Sequence, residues 1–267
     1  MLSNVNKTEN VKQQYRDDKN LSTRINLHAK HGTNKQSFSD WLFGLYGFFD
    51  NCHILELGCG NGAQWEAKID GLPDGCRVFL SDFTEGMVNA VREKYRTYPN
   101  FEFKQIDIQE IPFPDETFDI AIANHMLYHI PDLNKALSEV KRILKPNGTF
   151  YASTFSENSL HSYLRDVIKQ INPKTNAFTQ SWSFTMQNGF ETLSSHFDNI
   201  TRLDYESPLA ITDTQDLMDW IKSTMSINHC SESELHCLYE YFEEIRKRDG
   251  VIHIPNASGV FVSKISL

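Results

Sequence analysis

The sequence predicts an α/β fold built on a doubly wound sheet. Three features carry that expectation. Apolar strand-like runs and amphipathic helix-like runs take turns between residues 53 and 154, which calls for parallel strands joined by right-handed crossovers. The first strand, HILEL at 53–57, is a continuous apolar run. It ends in a glycine-rich loop, GCGNG at 58–62, where backbone without side chains can come close to a ligand.

Residues 1–33 are charged and polar with few apolar positions, and read as an N-terminal arm or lid ahead of a domain over 34–267. From Ser37 onward, Phe38, Trp41, Leu42, Leu45, Tyr46 and Phe49 recur at three- and four-residue spacing, a helix expected to pack on the sheet edge. After the glycine loop a helix is expected to begin over Gln64 to Ile69. RVFLS (77–81) is the second strand, and Thr84 is placed to cap a helix reaching Tyr98. FEFKQI (101–106) and FDIAIAN (118–124) follow. Then come a helix from Leu133 to Leu144, ended by KPNG, and the strand TFYAST (149–154). A helix near Leu160 to Ile171 precedes a loop around Pro173.

In the tail, NGFETLSSHF (188–197) reads as a helix, NITRLDYE (199–206) as a strand and GVFVSKIS (259–266) as a closing strand. That makes seven strands. Between the last two, residues 208–250 form a helical cap insertion with two capping-box spacings, Thr212 with Gln215 and Ser231 with Glu234. In its second helix Leu235, Leu238, Tyr239, Phe242 and Ile245 share one face, a core-packing pattern.

Composition excludes several classes of function. Hydrophobic content of 40% and charged content of 23% are ordinary for a soluble chain of 267 residues, and no apolar run approaches the roughly 18 residues a membrane helix needs. A net charge of −9 argues against a nucleic-acid partner, whose affinity rests on clustered Lys and Arg. The polar start lacks the apolar core of a secretory signal, so a cytoplasmic protein is expected. Five cysteines, Cys52, Cys59, Cys76, Cys230 and Cys237, are odd in number and scattered, which suits free thiols. The pairs His229-Cys230 and His236-Cys237 lack a usual zinc spacing, so no metal is expected.

The glycine loop admits two readings. Taken as G-x-G-x-x-A, with Gly58, Gly60 and Ala63, it passes for a nicotinamide dinucleotide fingerprint. Taken as E-x-G-x-G-x-G, with Glu56, Gly58, Gly60 and Gly62, it points to S-adenosylmethionine. Asp82, after the second strand, is placed to hold ribose hydroxyls in either case. These features indicate an adenosine-type ligand and leave the choice open.

Further along, the chain resembles the class I S-adenosylmethionine-dependent methyltransferases, in particular their small-molecule group. LELGCGNG (55–62), SDFTEGMV (81–88), DIQEIPFPDETFD (107–119) and LKPNGTF (144–150) stand in that family's order and spacing. The resemblance implies a Rossmann-like, mostly parallel seven-stranded sheet with an antiparallel last strand. It implies close main-chain approach of Gly58, Cys59 and Gly60 to the methionine portion, with Glu56 at its ammonium. Asp82 is implied at the ribose, Phe83 and Met87 beside the adenine, and Asp107 with the Ile108 backbone at its amino edge. Asn124 is implied on the sulfonium and methionine side. The family's usual PGG turn is Pro146-Asn147-Gly148 here, and Asn tolerates positive φ, so the turn should survive.

Methyl transfer requires the acceptor atom held at near-attack distance and, for a hydroxyl or a protonated amine, a base. The loop after the fourth strand, NHMLYHIPD, offers His125 and His129 at the carboxyl end of the sheet, where open α/β sheets bind ligands. In the N-terminal arm, Tyr15 is a candidate to face the reaction centre and Arg24 a candidate partner for the methionine carboxylate, as in similar enzymes whose N-terminal segment closes over the site. The expected activity is methyl transfer from S-adenosylmethionine to an O, N or C nucleophile of a small-molecule acceptor. A catalytically silent S-adenosylmethionine-binding or partner-binding protein on the same fold and a nicotinamide-dependent oxidoreductase are the alternatives. Trp41, Trp182, Phe184 and Trp220 are read as core packing.

Overall fold

The computed structural model describes residues 19–224 and 230–265. Its main sheet has seven strands in the order β3-β2-β1-β4-β5-β9-β6. These are β1 (His53–Leu57), β2 (Arg77–Asp82), β3 (Phe101–Gln105), β4 (Phe118–Asn124), β5 (Leu144–Phe155), β6 (Asn199–Glu206) and β9 (Ala257–Lys264). β1 to β5 pair in parallel, and β9 runs antiparallel to both of its neighbours, β5 and β6. The expected sheet, with its one antiparallel strand, is what the chain forms.

Alternate residues of the central strands feed two separate cores, which is why these strands read as unbroken apolar runs. Leu55, Leu57, Ala121, Ala123, Phe150 and Phe261 face one core, closed by α4 (Leu133–Ile143) and α6 (Gly189–Ser194). Ile54, Ile120, Ile122, Tyr151 and Val260 face the other, under α2 (Phe38–Leu45) and α3 (Glu85–Tyr95). The expectation that α2 packs on an edge is therefore corrected. Leu42 and Tyr46 are buried against the face, with the Tyr46 ring 5.0 Å from Tyr151.

A third core lies outside the sheet. It joins Leu27 of α1 (Lys19–His31), Leu164 and Ile168 of α5 (Leu160–Ile171), and Leu217 and Ile221 of α7 (Thr214–Lys222) to Leu238 and Phe242 of α8 (Glu232–Asp249). Two short strands, β7 (Leu209–Ile211) and β8 (Ile252–Ile254), pair antiparallel beneath it. This core thus joins α1 and α5 to α7, α8, β7 and β8. Of the arm expected over 1–33, the described part is a helix docked on this core. Leu27 is buried there, and Asp216 of α7 accepts from His31 Nε2 at 2.7 Å and from Lys30 Nζ at 2.5 Å.

Three local expectations are corrected. No helix follows the glycine loop: residues 63–71 make only two 3₁₀ turns, Ala63–Trp65 and Ile69–Gly71. Gly62 at φ 72° and Ala67 at φ 57° break any continuous right-handed turn there. Thr84 precedes α3 without capping it, because its hydroxyl donates to Asp82 Oδ1 at 2.9 Å. The residue that caps α7 is Asp213, which accepts from the Gln215 amide, in place of Thr212. Asn147 takes φ 64°, so the substituted turn keeps its left-handed residue, now inside β5.

Candidate active site

Strand order reverses between β1 and β4, and the carboxyl ends of the strands there open onto one cavity of about 600 Å³. The sheet forms its floor, while α1, α5 and α7 roof it. Glu56, Gly58, Cys59, Gly60, Asp82, Phe83, Asp107, Ile108, Asn124, His125, His129 and Arg24 all line it. Met87 does not line it. That side chain is 1% exposed on the buried side of α3. Tyr15 lies outside the described residues.

The loop geometry depends on glycine. Gly58, Gly60 and Gly62 have φ values of 70°, 55° and 72°, a region other residues enter at a cost of about 1–2 kcal/mol. Space forbids side chains as well: a Cβ on Gly60 would stand 2.7 Å from Leu21 Cδ2 of α1, and one on Gly62 would meet Val91 and Tyr95 at 2.7 Å. The Cys59 amide donates to Ser81 O at 2.8 Å, tying the loop to β2. Burial pushes the Cys59 thiol well above its ordinary range.

Two buried carboxylates face the loop. Glu56, 1% exposed, accepts from Trp65 Nε1 at 2.5 Å and from Asn124 Nδ2 at 3.2 Å. Burial, with the neighbouring charge of Asp82 as a smaller contribution, raises its pKa to about 7 against those two hydrogen bonds. Asp82, 9% exposed, accepts from the Thr84 amide at 2.9 Å and the Gly60 amide at 3.1 Å, and burial raises it too. Carboxylates so disfavoured in their ionised form are stabilised by an incoming cation. Besides its bond to Glu56, the Asn124 amide donates to Tyr46 Oη at 2.9 Å and accepts from Ser153 Oγ at 3.1 Å, so these hydrogen bonds lie within the wall. Asp107 Oδ1 accepts from the Gln109 amide at 2.9 Å beside the buried Ile108.

His125 follows β4 with φ 48°, a left-handed conformation rare outside glycine, held by its amide donating to Ser153 O at 3.0 Å. Strain of this kind gathers at functional sites. Its ring stands 5.1 Å from Phe38. Burial first, with His28 as a smaller contribution, lowers its pKa to about 4, so the imidazole is neutral at physiological pH with a free lone pair, and a weaker base than an exposed histidine. His161 of α5 is lowered further, to about 3, by burial and then by Arg24 and His28.

Sequence reasoning missed His28, His161 and Trp220 as cavity residues. His28 sits on an arm without apolar periodicity, and Trp220 carries the spacing of a core position. The only sequence signal was their helical phase relative to buried neighbours. Among the described residues no cluster of His, Cys, Asp and Glu is arranged to hold a metal, and no helix is long and apolar enough to cross a membrane.

Residues 55–152 match the model of a family described as a methyltransferase domain. The ubiquinone/menaquinone biosynthesis C-methyltransferase UbiE of Rickettsia massiliae is 32% identical over 125 residues, 45% of this chain and 50% of that protein. The chain thus spans about half the length of the curated relatives it matches. Phosphoethanolamine N-methyltransferase 2 of Haemonchus contortus, solved with phosphomonomethylethanolamine and S-adenosylhomocysteine, superposes with a TM-score of 0.60. It is 14% identical over 97% of this chain and 59% of that one. The [4+2]-cyclase SpnF superposes with a TM-score of 0.61 at 13% identity over 96% of both chains. At these identities the two structures establish the fold alone.

Proposed function

We propose, on the premise of the match of residues 55–152 to a methyltransferase domain, that this protein moves a methyl group from S-adenosylmethionine to an O, N or C nucleophile of a small-molecule acceptor. One observation carries the proposal. A single cavity joins the glycine loop and its buried carboxylates to an end walled by neutral histidines and aromatic rings.

The residues present fit the cofactor. Its two cationic centres, ammonium and sulfonium, suit a wall where Glu56 and Asp82 are buried carboxylates. Glu56 would take the ammonium, Asp82 the ribose hydroxyls, Phe83 a face of the adenine, and Asp107 with the Ile108 amide its amino edge. Arg24 on α1 would meet the methionine carboxylate, a task that falls to a side chain because no helix N-terminus stands behind the loop. A dinucleotide pyrophosphate is less well served there for the same reason, with two carboxylates beside it.

When bound, S-adenosylmethionine supplies an electrophilic methyl group on sulfur. The chain's part is to exclude water under α1 and the cap, orient the acceptor, and accept its proton. The His125 imidazole, neutral and on the cavity wall, would serve as that base, with His129 on the same loop as the other candidate. The proton that the acceptor loses would end on an imidazole nitrogen.

A second reading is that the fold binds S-adenosylmethionine without transferring from it, and the superposition on a [4+2]-cyclase keeps that reading in view. Calorimetric titration with S-adenosylmethionine, S-adenosylhomocysteine and NADH separates the possibilities. The proposal expects micromolar binding of the first two and none of NADH, with Asp82→Asn weakening both about tenfold. S-adenosylhomocysteine formed on an acceptor panel marks transfer. Binding without product favours the silent reading, and NADH binding alone overturns both.

A further inference from the structure

The two ends of the cavity differ in chemistry. Its three acidic wall residues, Glu56, Asp82 and Asp107, stand at or just beyond the carboxyl ends of β1, β2 and β3. Among the described residues, none comes from α5 or α7. Those helices contribute His161 and Trp220, whose rings lie 5.0 Å apart at 72°. Phe155, at the end of β5, stacks on the His161 imidazole at 5.4 Å and 22°, and Tyr128 stands 5.0 Å from Phe155.

This aromatic corner holds polar capacity that the protein does not use. Trp220 is 3% exposed, and its indole N–H has no hydrogen-bond partner among the described residues. Four aromatic rings stand around the His161 imidazole: Phe155, Phe178, Trp182 and Trp220. A buried donor left unpaired is costly, and such groups are usually satisfied by a ligand or water when the protein itself does not pair them. Burial first, then Arg24 and His28, disfavour a proton on His161. A cationic acceptor has no lone pair to give the Trp220 N–H, and none of the acidic residues that line the cavity comes from α5 or α7. A neutral imidazole, by contrast, offers one donor and one lone pair, the complement of a hydroxyl.

We infer that this corner is the acceptor subsite for a planar hydroxylated ring, of the phenol or enol type, with Trp220 Nε1 and the His161 imidazole as the groups that meet its oxygen and Phe155 and Tyr128 as its walls. The inference rests on the methyl-transfer reading for its meaning, since it names the substrate class of that site. The amine-type acceptor is the class it rejects.

The test titrates the full chain with 4-nitrophenol, benzylamine and toluene, each with and without saturating S-adenosylhomocysteine. The expected result is 4-nitrophenol binding about tenfold or more tighter than the other two. Trp220→Phe keeps the ring and removes the N–H, and it should weaken 4-nitrophenol about tenfold while leaving toluene and S-adenosylhomocysteine within about twofold. His161→Phe should do the same, and serves if the first variant is poorly folded. Benzylamine binding tighter than 4-nitrophenol overturns the inference. So does an equal loss of toluene and 4-nitrophenol in Trp220→Phe, which would mark packing alone. If S-adenosylhomocysteine does not bind while 4-nitrophenol keeps its dependence on Trp220, the subsite stands and the methyl-transfer reading falls.

Discussion

Trp65 donates its indole N–H to Glu56 at 2.5 Å, from a turn just past the glycine loop to a strand residue sealed from solvent. The bond holds in place a carboxyl that burial raises to about 7. Without a cation beside it, Glu56 keeps much of its proton just below neutral pH, and an ammonium displaces that proton. S-adenosylmethionine binding is therefore expected to release a proton there. Calorimetry in two buffers of unlike ionisation enthalpy measures the release, and Glu56→Gln should erase the buffer dependence. Heats that are the same in both buffers for the parent protein would count against a contact between Glu56 and the ammonium.

The same groups set opposite trends in stability with pH. Between about 4.5 and 7 folded Glu56 holds a proton that the unfolded chain has released, so its contribution falls as pH rises through that window. His125 and His161 work the other way. From about 4 to 6.5 the unfolded chain binds protons that these folded imidazoles refuse, so their contribution rises with pH. Urea unfolding of the apoprotein near pH 5 and near pH 6 should show Glu56→Gln gaining more stability with pH than the parent, and His161→Asn gaining less. Parallel slopes in all three proteins would refute both assignments.

Gly60→Ala places a methyl group at φ 55° and 2.7 Å from Leu21 Cδ2. A loss of about 1–2 kcal/mol is expected from the backbone alone, with weaker S-adenosylmethionine binding added by displacement of α1. Leu21→Ala in the Gly60→Ala protein should restore part of the binding and none of the backbone cost. Thermal melts and titrations on the two single variants and the double variant read these separately. If Leu21→Ala restores nothing, α1 does not press on the loop.

Asp216 joins α7 to α1 through His31 and Lys30. Asp216→Asn is expected to speed amide exchange in Lys19–His31 by about tenfold while leaving β1 and β4 unchanged, because the sheet cores do not include this contact. Hydrogen exchange read by mass spectrometry gives both rates in one experiment. Equal acceleration in the sheet would mean a global loss of stability instead of a released roof.

The sheet was legible because each central strand is buried on both faces and so shows as an apolar run that no helix in the chain imitates. Asp82 and Asp107 were legible for a related reason, standing where such a run stops. The turn after Gly62 was misread as a helix. Gln64 to Ile69 has helical spacing, and only the backbone at Gly62 and Ala67 decides against it. The strands β7 and β8, three residues each, are too short for alternation to register. Trp220 and His161 were out of reach on other grounds. Each lies on a helix with a normal buried face, and which edge of that face meets a cavity depends on how α5 and α7 pack on each other and on α1.

The position of β9 between β5 and β6 has a bearing on how the chain assembles during synthesis. β6 leaves the ribosome well before β9, yet β9 is the strand through which it joins the sheet, so until then it is an open ribbon with an unpaired edge. The residues translated in that interval are α7, α8 and the β7–β8 ribbon. They have their own apolar centre with α5 and α1, both already made. The roof over the cavity can therefore condense while the floor is still incomplete, and the arrival of β9 then welds floor and roof in a single late step.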